Sequence, residues 1–300
     1  MNYRERIVEE FGNRGFHYFS ELVWSSSLEQ PDLERVRTFL KINGFEDIDV
    51  SLIRPLDDST QRLKWNRYYD QTGQCLVTAA PVSLPVGSNN LKLVFAYATE
   101  EIRGNDQART IVVANALRLI FGVPAARELL LYSVFDKKTS STHSDVNYAS
   151  FFDVQSLHRY DDPPIQEAKL SRIPAEAAFL LEKAFAQINP GERFILMWLA
   201  FETVVSAVID TGNNGEKREA FFQNVLQSSI VNAEVFRLFR LRCEIFKEGR
   251  QINANIEDDC VSLYCALQLA VLGDCEQRRA FLRGYELRIQ QENAKEKKSP

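Results

Sequence analysis

From residue 170 onward, apolar positions recur at the three-to-four-residue spacing of amphipathic helices, and breaks fall where glycine, asparagine and proline cluster. The spacing predicts helices over residues 174–187, 192–209, 217–227, 233–247, 256–272 and 276–290. Asn189-Pro190-Gly191, the run 211–215 and Gly249 separate them. Short loops between amphipathic helices make antiparallel neighbours, so a helical bundle is expected. The most apolar stretch, residues 194–209, carries Glu202 and falls short of the roughly 20 residues that cross a bilayer. It is read as a buried helix.

Upstream the period changes. After a first amphipathic helix, residues 17–135 alternate short β-type runs with turns, among them 48–54, 63–69, 74–79 and 91–98. Turn residues between Tyr68 and Gln74 separate two such runs and predict a hairpin. Residues 105–121 repeat at helical spacing up to Gly122 and Pro124, predicting one helix packed on the sheet. The run 129–135 is read as a strand. Residues 136–166 are polar and end in Pro163-Pro164, which forbid helix and favour an extended connector. The fold class is therefore α+β: a mixed α+β domain over 1–164, a helical bundle over 165–292, and a disordered tail over 293–300, where almost nothing is apolar.

Composition narrows the setting. The chain has 300 residues, 45% of them hydrophobic, enough for one or two cores without staples. Its five cysteines (Cys75, Cys243, Cys260, Cys265 and Cys275) are odd in number and lack CxxC spacing, so they read as buried thiols. The N-terminal residues mix charge with apolar positions from the first turn, unlike a secretory signal, and a cytoplasmic location is expected. A net charge of −5 argues against general coating of nucleic acid but leaves room for a local basic patch. The three histidines, His17, His143 and His158, have no ligand spacing; His143 reads as a loop residue, and no metal or cofactor is expected.

The chemistry concentrates in residues 238–250, where Arg240, Arg242, Glu244, Lys247 and Arg250 lie on one predicted helix and its end. This segment resembles the signature of HEPN domains, particularly the Apea-like branch, in which a helix carries Arg, a polar residue, further positions, then His and a glycine. The helix around Trp198 and Glu202 and the helix after the motif fit the same pattern, over about the last 130 residues. The resemblance implies a homodimer with motif helices facing a cleft, and an RNase site in which Arg holds the scissile phosphate and His moves protons. Arg242 matches the arginine. Lys247 stands where the histidine belongs, and every histidine precedes the bundle. An unperturbed pKa of about 6.5 suits imidazole to proton transfer near neutrality; lysine, at about 10.4, binds rather than shuttles.

At about 100° per residue, Arg237, Arg240, Glu244 and Lys247 fall on one helix face, with Arg242 about 140° from Lys247. The face is read either as a phosphate grip or as a solvated surface with intrahelical pairs such as Arg240 to Glu244. Glu202, amid apolar neighbours, either meets a partner, for which Arg242 is the first choice, or reaches solvent. The run 211–218 lacks Walker A spacing and reads as a turn into a new helix, with Lys217 and Arg218 able to point towards the cleft of Arg242.

Two functional readings follow. The first is a HEPN-like binding or regulatory protein that grips RNA, a nucleotide or a protein partner through Arg237, Arg240, Arg242, Lys247, Arg250, Lys217 and Arg218, with Glu202 orienting and no catalysis. The chain also resembles bacterial methylamine-utilisation-type accessory proteins, which pair a mixed domain with a comparable bundle. The alternative is an unconventional metal-independent ribonuclease of the toxin or phage-defence kind, in which Arg242 and Lys247 stabilise the phosphate and Glu244 or Tyr264 moves the proton.

Overall fold

Tyr18–Ser26 (β1) places Phe19, Glu21 and Val23 on one face and Ser20, Leu22 and Trp24 on the other, and all six are buried. A strand covered on both sides lies at the centre of a sheet, and the computed structural model puts it there. The structure describes residues 3–53, 61–69, 75–83, 89–143, 152, 154–156, 162–248 and 256–296.

In chain order, α1 (Tyr3–Gly12) precedes β1, and α2 (Gln30–Ile42), β2 (Ile48–Ile53), β3 (Gln61–Tyr69), β4 (Cys75–Ser83), β5 (Asn89–Tyr97) and α3 (Glu100–Asn105) follow. After α4 (Gln107–Phe121) come β6 (Glu128–Asp136) and β7 (Ser140–His143). Five strands form an antiparallel sheet in the order β2-β5-β1-β6-β7. The predicted hairpin is present as β3 and β4, paired through Tyr69 opposite Cys75; its turn, 70–74, lies outside the described residues. His143 ends the edge strand β7 rather than lying in a loop, because residues 140–143 pair with 132–135 of β6.

One face of the sheet is half apolar and half ionic. Phe19, Val94, Ala96 and Phe135 pack with Ile7 and Phe11 of α1, and each fully buried large side chain contributes about 1.5–3 kcal/mol. Further along the same face Glu21 lies between Lys92, at 2.9 Å, and Arg4, which also donates to Ser133 Oγ at 2.9 Å and Ser140 Oγ at 2.6 Å. Tyr3 donates to Asp49 at 2.6 Å. Helix α2, opened by a Glu29–Asp32 capping box, packs beside β2 and bonds through Arg37 to the Val50 carbonyl at 2.8 Å.

The helical elements are α5 (Ala175–Phe185), α6 (Pro190–Val208), α7 (Asn214–Ala220), a single π-helical turn over Phe221–Leu226, α8 (Ser229–Glu248), α9 (Ile256–Val271) and α10 (Glu276–Glu296). All six predicted helices are present. Helix α9 is buried along almost its whole length and packs against α6, α8 and α10. The stretch expected as a tail from residue 293 continues α10 to Glu296.

The chain divides into two compact units, Met1–Gln107 with Pro124–Ala149, and Ala108–Val123 with Ser150–Pro300. This differs from the expected boundary near residue 164 and from the expected place of the 105–121 helix. Helix α4 belongs with the bundle because its C-terminal carbonyls, left without intrahelical donors, are met from α9: Tyr264 donates to the Arg118 carbonyl at 2.6 Å and Gln268 to that of Leu119 at 2.7 Å. Its buried Arg118 also pairs with Glu182 of α5. Part of the expected linker belongs here too: Ile165 and Ala168 are buried, and Leu170 bridges Leu272.

Candidate anion site

Helix α6 starts cleanly because Asn189 caps it ahead of Pro190, and its inward face carries Trp198 and, one turn later, Glu202. The loop after α6 ends in Asn213, whose side chain accepts from the Gly215 and Glu216 amides while Glu216 bonds back to the Asn213 amide. This capping box starts α7 where the sequence predicts a new helix. It carries Arg218 to Glu202, with Nη1 to Oε1 at 3.3 Å, and Asn214 Nδ2 lies 3.5 Å from Oε2. The expected partner of Glu202 was Arg242. Arg218 takes that place because α7 turns straight after its cap, whereas Arg242 leans along its own helix onto Phe246, 5.1 Å from the ring centroid.

Arg218 and Arg242 nonetheless converge. Only 12% of the Arg218 side chain and 13% of Glu202 are exposed. The Arg218 guanidinium lies 4.3 Å from the Phe239 ring and 5.6 Å from that of Trp198. Burial is the main reason its pKa falls below the usual guanidinium value; Glu202 opposes the fall and the like charge of Arg242 adds to it. Two half-buried guanidiniums thus lie near each other, and the Glu202 carboxylate is paired with Arg218. Arg242 Nε is buried without an acceptor, and so is Trp198 Nε1. A buried donor left unsatisfied costs about 1–3 kcal/mol, which an anion would offset.

The other expected site residues separate from this pair. Arg237 is a brace between helices: it bonds Glu234 at 2.7 Å and Asp259 of α9 at 2.7 Å, while Ser262 links Glu234 to Tyr285. The bond to Glu234 is the main reason its pKa is raised. Arg240 is exposed, with its guanidinium 4.6 Å from the Phe236 ring. Lys217 and Glu244 are half-buried. The Lys247 side chain and the whole of Arg250 lie outside the described residues. Tyr264, considered as a proton carrier, is fully buried with its hydroxyl committed to the Arg118 carbonyl, and burial pushes its pKa well up. It is a structural residue.

Among the described residues no group of three or more His, Cys, Asp or Glu is placed to hold a metal, and no helix is long and apolar enough to cross a membrane. Cys260, Cys265 and Cys275 are buried free thiols and Cys243, beside the arginine pair, is half-buried. The features define an α+β protein whose helical unit holds a cationic, largely desolvated pair of arginines over aromatic rings. No family model, no curated protein and no solved structure matches the chain.

Proposed function

We propose that the helical unit is a HEPN-like binding module in which Arg242, with Arg218 beside it, grips a phosphate of RNA or of a nucleotide, without acid-base catalysis. The observation that carries this reading is the unpaired donor at Arg242 Nε, buried next to a second guanidinium that is ion-paired with Glu202. Arginine suits the task because its planar fork matches phosphate oxygens and it stays charged when desolvated. No histidine follows residue 158, and the Tyr264 hydroxyl is committed to the Arg118 carbonyl. The protein is read as a homodimer assembled through the bundle, as the HEPN resemblance implies, and as cytoplasmic, as the charged N-terminal residues suggest.

Equilibrium binding of labelled RNA in EDTA between about 50 and 200 mM salt tests the grip. Losing charge-assisted hydrogen bonds worth about 1.5–3 kcal/mol predicts that Arg242→Ala weakens binding roughly 10- to 100-fold. Its salt slope falls by about one. Binding that is unchanged in R242A, or insensitive to salt, overturns the reading. RNA cleavage in EDTA that disappears in R242A would restore the ribonuclease alternative.

A further inference from the structure

The face of α8 that contains Arg242 carries a second pattern. Arg242, Phe246, Phe239, Phe236 and Arg240 follow one another around the helix within about 160° of its circumference. Phe236 is 47% exposed and Phe246 56% exposed, large rings open to water beside a buried core. Each of the three rings lies against a guanidinium: Arg240 on Phe236 at 4.6 Å, Arg218 on Phe239 at 4.3 Å and Arg242 on Phe246 at 5.1 Å. Phe236 and Phe239 are themselves 6.3 Å apart. Of the buried residues of α8, Val231 and Leu238 border this arc on the Arg242 side and Val235 falls within it, between Arg242 and Phe246, so the exposed rings lie along the rim of the core.

Flat apolar rings, each beside a fixed positive charge, match a ligand that joins flat rings to negative charges. We infer that this face of α8 is a stacking platform for single-stranded nucleic acid, with bases on the Phe236, Phe239 and Phe246 pairs and phosphates on Arg240, Arg242 and Arg218. The assignment rests on the phosphate-binding reading of Arg242 and adds the base-recognising half. Every base has a π-face, so such a platform tolerates any sequence, and guanidinium planes stack on bases as rings do. A duplex keeps its bases stacked inside and cannot offer them. Phe236 and Phe246 are ten positions apart, about 15 Å along the axis, room for about four nucleotides at 3.4 Å each. Pairing each ring with an arginine holds both side chains in place before the strand arrives, which lowers the ordering cost of binding.

The test is fluorescence anisotropy of the full chain with an oligouridylate and an oligothymidylate of about a dozen nucleotides, within the usual site size, and with a duplex of equal length. The wild type is expected to bind single strands at least about tenfold more tightly than duplex, and Phe236→Ala and Phe246→Ala each to lose roughly tenfold. Phe246→Trp, which keeps an aromatic face, retains binding. Equal affinity for the two oligonucleotides identifies a platform indifferent to the sugar; preference for the oligouridylate identifies RNA as its ligand. The inference is overturned if the phenylalanine variants bind like the wild type or the duplex competes equally; loss confined to R242A then leaves the phosphate grip standing alone. If no oligonucleotide binds and sedimentation shows self-association lost in F236A and F246A, the face belongs to a second copy of the chain, and both readings fall.

Discussion

Arg118→Ala is expected to remove about 3–5 kcal/mol from the unfolding free energy of the helical unit, the usual cost of breaking a buried ion pair from one side. The Arg118 side chain is 1% exposed, ion-paired with Glu182, bonded to Asn115 Oδ1 at 3.2 Å and stacked near the Phe185 ring. Truncation leaves the Glu182 carboxylate and the Asn115 amide in a cavity lined by α4 and α5. Urea unfolding followed by circular dichroism measures the loss, and the double variant Arg118→Met with Glu182→Leu separates its causes. Replacing both charges with packed apolar groups should recover much of the stability. A single variant as stable as the wild type would show that water already reaches this pair.

Glu21→Ala should destabilise the sheet unit by a similar amount, about 3–5 kcal/mol, because it strands Lys92 and Arg4 against one face of β1. The Glu21 side chain is 5% exposed and that of Lys92 11% exposed. Burial alone would raise the Glu21 pKa; hydrogen bonds and charge from Lys92 and Arg4 outweigh it, and the net shift is downward. The folded protein therefore binds fewer protons at this group than the unfolded chain. Its contribution is full above the unfolded value of about 4.3 and is lost as pH falls through the lower folded value. Glu21→Gln should flatten that part of the acid limb, and a stability profile in acid identical to the wild type's would contradict the ionic role.

The helices were legible because each carries punctuation in its own residues: Asn189-Pro190, the Asn213 box and the apolar period of 256–272. The hairpin of β3 and β4 and the strand β6 were legible for the same local reason. The centre of the sheet was not, since β1 is buried on both faces and shows no alternation to read. Nor was α2 seen among the β-type runs, although the Glu29–Asp32 cap and Pro31 mark its start. Arg118, a lone cation within an apolar run, and Arg193, at the start of one, are both buried and paired, Arg193 with Glu257 at 2.6 Å. At the site, helical spacing put Arg237, Arg240 and Lys247 on one face. It could not foresee that Asp259, from another helix, occupies Arg237, or that α7 delivers Arg218 to Glu202.

Helix α4 leaves the ribosome before β6 and β7, yet its side chains complete the later unit, so the order of synthesis is not the order of assembly. Until α9 emerges, the carbonyls at the end of α4 have no Tyr264 or Gln268 to meet them, and Arg118 waits for Glu182. A nascent chain halted near residue 150 would therefore display an apolar helix with a naked guanidinium, a natural handle for chaperones. For the same reason a gene fragment starting at residue 165 encodes a bundle missing one of its own staves.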